Sequence, residues 1–219
     1  MRPVVFRGPS ITTEAAAEIL DAEYLPPVGK GDIDRLLDRP EPPTVIGIVD
    51  GRFLHSLSIS PKEILRAMDA DVVVYGSSSM GALRGAECAP HGMIGIGRIF
   101  EEYFSGRTDE DDEVAITYSE DTLKPLSEPL ANMRFAVAAA LRAGAVSAGL
   151  ADRFLKAAKE IYFPERSVNA TLHALRGTVP QAELDELAAF LRNEAPDTKR
   201  DDAVALLRRI RADLEAAPA

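Results

Sequence analysis

The sequence predicts an α/β fold, a mostly parallel sheet flanked by helices, with an all-helical C-terminal region. Three observations carry that expectation. Short runs of β-branched and aromatic residues at 4–6, 44–49 and 72–75 alternate with helix-forming stretches, and runs that are apolar in succession suit strands buried on both faces of a sheet. The connections between them are long enough for crossover helices, which makes the strands parallel. Beyond Pro125 the apolar residues recur at helical spacing. We therefore expect two domains, an α/β core at residues 1–122 and a helical region at 123–219.

Residues 4–6 (VVF) form the first strand and run out into Arg7-Gly8-Pro9-Ser10. Thr12 or Thr13 caps a helix whose body is 15–20. Residues 25–32 (LPPVGKGD) read as a connection, having prolines and glycines but no sustained period. Ile33, Leu36 and Leu37 mark a short helix that Pro40, Pro42 and Pro43 stop. The strand at 44–49 (TVIGIV) then delivers Asp50-Gly51 at its carboxyl end. Ser60-Pro61-Lys62-Glu63 supplies a cap, a proline at the first helical position and a reciprocal glutamate, so 63–69 is helix.

The strand at 72–75 (VVVY) ends at Gly76-Ser77-Ser78-Ser79, and a helix begins at Met80 with Met80, Leu83 and Ala86 on one face. Residues 89–97 (APHGMIGIG) look like a glycine-rich loop pressed against another backbone. A short helix at 99–104 and a strand at 114–118 (VAITY) follow, separated by the acidic run 109–113 (DEDDE). That run precedes its strand, so in a parallel sheet it falls on the edge opposite the serine turn and reads as a solvated turn rather than a metal site, unless the strand runs antiparallel; no metal is expected. In the C-terminal half, helical stripes run through Met133, Val137, Ala140 and Leu141, through Leu150, Phe154 and Ala158, through Leu184, Leu187, Ala188 and Leu191, and through Leu207, Ile210 and Leu214. His173 reads as structural.

If the strands are parallel, Gly8 to Ser10, Asp50-Gly51 and Gly76 to Ser79 emerge on one edge, where open α/β sheets bind ligands. The serine turn has two chemical readings. Ser79 is a nucleophile on a sharp elbow like Gly-x-Ser-x-Gly, with Ser77 in place of the first glycine and Gly81 as the second. Ser79-Met80-Gly81-Ala82 also looks locally like the nucleophile motif of Clp protease proteolytic subunits. Alternatively the serines and the helix-start amides, at Ser78, Met80 and Gly81, bind an anion. The plain structural reading is that the serines cap the helix and the glycines allow a tight turn. Asp50 can orient a base, bind a substrate amine or form an Asx turn. His55 is the leading sequence candidate for a general base, with His91 and Lys62 behind it.

The net charge of -10 argues against nonspecific nucleic-acid binding. Cys88 stands alone, which excludes an intramolecular disulfide and suits a reducing compartment. No apolar segment reaches membrane-spanning length, and Met1-Arg2-Pro3 leads straight into a strand. A soluble, cytoplasmic protein is expected.

The blocks FRGPS (6–10), LPP followed by KGDI (25–33), IGIVDG (46–51), SPKEIL (60–65), YGSSSMGALRGAE (75–87), GMIGIGRIFEEY (92–103) and DDEVA (111–115), in that order, resemble the TfuA-like proteins. The resemblance implies a partner of a YcaO enzyme in ribosomal peptide modification, assisting formation of backbone thioamides and meeting the precursor peptide only indirectly. No cofactor is implied for this chain, since ATP and magnesium belong to YcaO. It also implies a second partner, a thiocarboxylated ubiquitin-like sulfur carrier whose hydrolysis at Ser79 releases sulfide. The carrier's tail would lie along Gly8, Ser10, Gly76 and Ser77, with Lys62 available to an anion. Arg84 is placed to hold a carboxylate or to pair with Glu87. The competing expectation is a noncatalytic partner that recruits or allosterically activates YcaO.

Overall fold

The computed structural model describes residues 2–53 and 58–216. Within them the sheet has five parallel strands, β1 (Val4–Phe6), β2 (Glu23–Leu25), β3 (Val45–Ile48), β4 (Val73–Ser77) and β5 (Ile94–Ile96), ordered β2-β1-β3-β4-β5. The helices are α1 (Thr13–Ala17), α2 (Asp32–Leu37), α3 (Pro61–Asp69), α4 (Met80–Cys88), α5 (Arg98–Phe104), α6 (Leu130–Ala143), α7 (Ala148–Glu160), α8 (Val168–Ala174), α9 (Gln181–Asn193) and α10 (Thr198–Ala216). The parallel α/β fold with helical C-terminal elements is the class the sequence predicts.

Three local expectations need correction. Residues 23–25 form the edge strand β2; Glu-Tyr-Leu has no apolar run because all of it is only half-buried. Residues 94–96, expected as loop, are the other edge strand, β5. Gly95 is required there, since a Cβ would lie 2.0 Å from the Phe100 ring. Residues 114–118, expected as a strand, pair only through an isolated bridge between Tyr118 and Pro125. Val114 and Ala115 are nevertheless buried, so their apolar character reflects packing rather than a ladder.

The acidic run is also not a wholly solvated turn. Asp111–Glu113 winds into a turn of 3₁₀ helix, Glu113 is buried, and Arg134 donates three hydrogen bonds to its carboxylate. Arg166, itself buried, donates to the Asp112 carboxylate and carbonyl and to the Ala158 carbonyl.

The chain divides into two compact units, one of residues 1–109 with 199–219 and one of residues 110–198. The second contains the stretch around residue 122 where the sequence suggests a boundary. Its core gathers Leu130, Met133, Val137, Phe154, Leu184 and Leu187, whereas Leu141 of the expected stripe is exposed. In the first unit, Ala203, Leu206, Leu207 and Ile210 of α10 pack with Val5, Ile11 and Tyr75. Contact between α10 and β3 is close: a Cβ on Gly47 would sit 3.0 Å from Ile210 Cδ1. The final helix is thus part of the sheet's own core, and its first turn reaches the sheet's carboxyl edge.

Candidate active site

Parallel pairing of β1, β3 and β4 brings their carboxyl-end residues side by side. Asp50, two residues past β3, is buried and organises the exit of β1. Its Oδ2 accepts the Gly8 N–H at 2.8 Å and the Ser10 N–H at 3.1 Å, and its Oδ1 accepts the Ser10 hydroxyl at 2.7 Å. Ser78 Oγ in turn donates to Ser10 Oγ at 3.0 Å. A carboxylate with these donors is locked in orientation.

The serine turn is strained and tightly backed. Ser79 N–H reaches back to the Ser77 carbonyl at 2.8 Å across Ser78, whose φ is +68°, an arrangement that resembles the rare positive-φ γ-turn. Ser79 itself has φ -117° and ψ -119°, outside the broad allowed regions. The positive φ at Ser78 costs on the order of 1–3 kcal/mol and persists where packing dictates it. Here Ser79 and Gly81 both donate N–H bonds to the Val49 carbonyl, at 3.3 and 3.2 Å. A Cβ on Gly81 would fall 1.8 Å from the Ile48 carbonyl oxygen, so only glycine lets α4 begin this close to β3.

Lys199 completes the cluster from 120 residues away. Near the start of α10 and buried, it donates from Nζ to Ser79 Oγ at 2.9 Å and lies 3.9 Å from Asp50 Oδ1. Ser10, Asp50, Ser78, Ser79 and Lys199 therefore form a connected polar group inside an apolar unit. Serine, lysine and carboxylate in this order are the parts of a serine nucleophile activated by an amine. Next to them, the Ser77 hydroxyl donates to the Asp202 carbonyl at 2.8 Å. The buried Asp202 carboxylate accepts the N–H groups of Arg98 and Ile99 at 2.9 and 2.8 Å. Burial, only partly offset by those two bonds, pushes the Asp202 carboxyl up to about 6.

Of the other sequence-predicted site residues, Gly8 and Gly76 are close-packed. A Cβ on Gly8 would lie 2.6 Å from Pro27 and 3.1 Å from Asp50, and one on Gly76 would lie 2.2 Å from the Gly81 carbonyl. Met80 is buried, its side chain against Gly51. Arg84 donates to the Ile59 carbonyl and pairs with Glu87 at 2.7 Å, the second of the two fates expected for it. Lys62 is exposed on α3 and His91 is exposed in a 3₁₀ turn. His55 lies outside the described residues. Lys199 is the residue sequence reasoning missed. Its signal is a charge on an apolar stripe, since 199, 203, 206 and 210 fall on one helical face.

A family model described as TfuA-like protein matches residues 50–167, more than half of the chain. The chain belongs to the TfuA-like family. The matched span opens at Asp50 and holds the whole serine turn and α4, while Ser10 and Lys199 lie on either side of it. The family is associated with YcaO proteins. No curated protein matches the chain. Among the described residues no helix is long and apolar enough to cross a membrane.

Proposed function

We propose that this TfuA-like protein supports YcaO-dependent backbone thioamidation of ribosomal peptides by hydrolysing the C-terminal thiocarboxylate of a sulfur-carrier protein, with Ser79 as nucleophile and Lys199 as its base. The observation that carries the reading is the 2.9 Å contact between Lys199 Nζ and Ser79 Oγ in a buried setting.

In its neutral form the Lys199 amine takes the Ser79 proton as Oγ bonds to the thioacid carbon. The electron pair of the carbonyl moves to oxygen, where the Met80 N–H at the positive end of α4 stabilises it, assisted by Ser78. Gly81 is less suited to that task because its N–H already meets the Val49 carbonyl. Collapse breaks the C–S bond, and the proton held on Lys199 goes to sulfur, giving hydrosulfide and a Ser79 ester. Water, deprotonated by the same amine, then cleaves the ester to the carrier carboxylate and regenerates the hydroxyl. Asp50 balances the transient ammonium at 3.9 Å. Gly8, Ser10, Gly76 and Ser77 are buried behind the turn, and the carrier tail would reach Ser79 from the sheet's carboxyl edge.

The test is sulfide release from a thiocarboxylated carrier by the parent protein, by Ser79→Ala and by Lys199→Met, each without YcaO and then with it. Release by the parent alone is the expected result. Equal release by all three folded proteins would overturn the dyad. Release by none in either condition would leave a noncatalytic activator of YcaO as the role.

A further inference from the structure

The dyad proposed above joins two parts of the chain that are far apart in sequence, so something must hold α10 in register with the serine turn. Apolar packing of Ala203, Leu206, Leu207 and Ile210 holds the helix against the sheet, but packed helices can still slide slightly by shear. Directional bonds near Lys199 are what set its axial position. One turn on from Lys199, Asp202 makes them through both its side chain and its main chain.

We propose that Asp202 is the positioning residue of the Ser79–Lys199 dyad, latching the first turn of α10 to the start of α5 and to the serine turn so that Lys199 Nζ meets Ser79 Oγ. This rests on the hydrolase reading given above. The Asp202 carboxylate spans the N–H groups of Arg98 and Ile99 at 2.9 and 2.8 Å, and its carbonyl accepts the Ser77 hydroxyl at 2.8 Å. Ser77 lies two residues before Ser79, so the same residue ties the base-bearing helix to the nucleophile-bearing turn. Gly97 is shaped to admit it, with φ +100° and a hypothetical Cβ only 2.3 Å from Asp202 Cγ. Further along α10 the Tyr75 hydroxyl donates to Asp213 at 2.8 Å and Arg211 donates to the Ile19 carbonyl at 3.2 Å.

The latch is sensitive to protonation. The charged groups acting on Asp202 are Arg98 of α5, which favours the carboxylate, and Asp201 of α10, which opposes it; Ser77 and the α5 amides are neutral donors, and Gly97 contributes no side chain. The carboxyl takes up its proton near pH 6. The acid form keeps one good acceptor in place of two, which loosens the hold on Arg98 and Ile99 as pH falls through that value.

The test compares the parent with Asp202→Asn and with the milder Ser77→Ala, which removes only the bond to the Asp202 carbonyl. Ser79 reactivity is read as the rate of labelling by a fluorophosphonate, a probe that needs no carrier, across the pH range. We expect Asp202→Asn to slow labelling by about tenfold or more, as for a lost positioning contact, and to abolish the fall below pH 6. Ser77→Ala should slow it by severalfold and keep the fall. Sulfide release by the same proteins should lose kcat with KM unchanged. Labelling of a folded Asp202→Asn protein at the parent rate with the parent pH profile would overturn the latch but leave the dyad intact. Should the parent itself not label at Ser79, the dyad fails, and a crystal structure of Asp202→Asn still decides the latch: Lys199 Nζ withdrawn from Ser79 supports it, and an unchanged 2.9 Å contact refutes it.

Discussion

The two units bury polar groups in different ways. In the helical unit, Arg166 and Glu113 are buried, and each is answered by a partner of opposite charge: Arg166 by Asp112 with two carbonyls, and Glu113 by Arg134 with three bonds. Those groups bond in ways that close a local loop onto a helix. The hydrogen bonds from Arg134 to Glu113 raise the already high pKa of the guanidinium further. In the sheet unit, Lys199 donates to the Ser79 hydroxyl at 2.9 Å and pairs at 3.9 Å with the Asp50 carboxylate, which also binds Gly8 and Ser10. An ion pair stabilises by holding charge still, whereas the proposed reaction needs the neutral amine to accept the Ser79 proton. In the helical unit these charges are locked in pairs, whereas in the sheet unit the Lys199 contact to Ser79 is the one on which the proposed dyad rests.

The largest effect expected from that distinction is at the dyad. Lys199→Met should lower sulfide release on the order of 10³-fold, and the double variant with Ser79→Ala should be little worse than either alone, because residues acting as one unit are strongly non-additive. Steady-state rates of the three proteins check this; additive losses would show that the two residues act separately. The matching experiment in the helical unit is Arg166→Ala. It leaves the Ala158 and Asp112 carbonyls without that donor and a cavity in a buried position, so a loss of about 3–5 kcal/mol in unfolding free energy is expected by denaturant titration. A loss under about 1 kcal/mol would remove the structural reading of that pair.

Gly81→Ala tests how firmly the turn is backed. Its Cβ would meet main-chain oxygen, which cannot swing aside, and a cost of about 3 kcal/mol follows, with loss of fluorophosphonate labelling at Ser79. Smaller and pH-dependent is the effect at Asp202. Because its folded carboxyl is raised from 3.8 to about 6, the folded chain holds a proton that the unfolded chain has already released between those values. Stability therefore falls as pH rises through that window, by about 3 kcal/mol in all, and the loss is complete above it. Asp202→Asn should flatten this part of the stability profile, measured by denaturant midpoints at about pH 4 and pH 7. At the small end, Lys62→Ala and His91→Ala change exposed groups and should alter sulfide release by about twofold at most; a larger effect would move the proton chemistry away from Lys199.

Much of the sheet was legible because buried parallel strands announce themselves. Val4–Phe6, Val45–Ile48 and the run 72–75 that opens β4 are apolar in succession, and the capping box at Ser60 and Glu63 marks the start of α3, where both its side-chain bonds form. The edge strands β2 and β5 were not legible, since half-buried short strands carry neither an apolar run nor a clean alternation. The reverse error at 114–118 has the same root: Val114 and Ala115 are apolar because they are buried, and burial does not specify a ladder.

The sequence by itself determined the strand–turn–helix at Ser79, the place of Asp50 on the same edge and the family, since each depends on residues adjacent in the chain or on parallel pairing that crossover helices enforce. Only the tertiary structure decided which amine meets Ser79. Local pattern gave preference to His55, His91 and Lys62, near in sequence. Lys199 is brought in by the apolar face of α10 seeking cover on the sheet, and a contact spanning 120 residues leaves no periodicity for a reader of the chain to find. Its one trace is a buried lysine and a buried aspartate on a stripe that should be apolar, a local violation of the kind that marks a functional site.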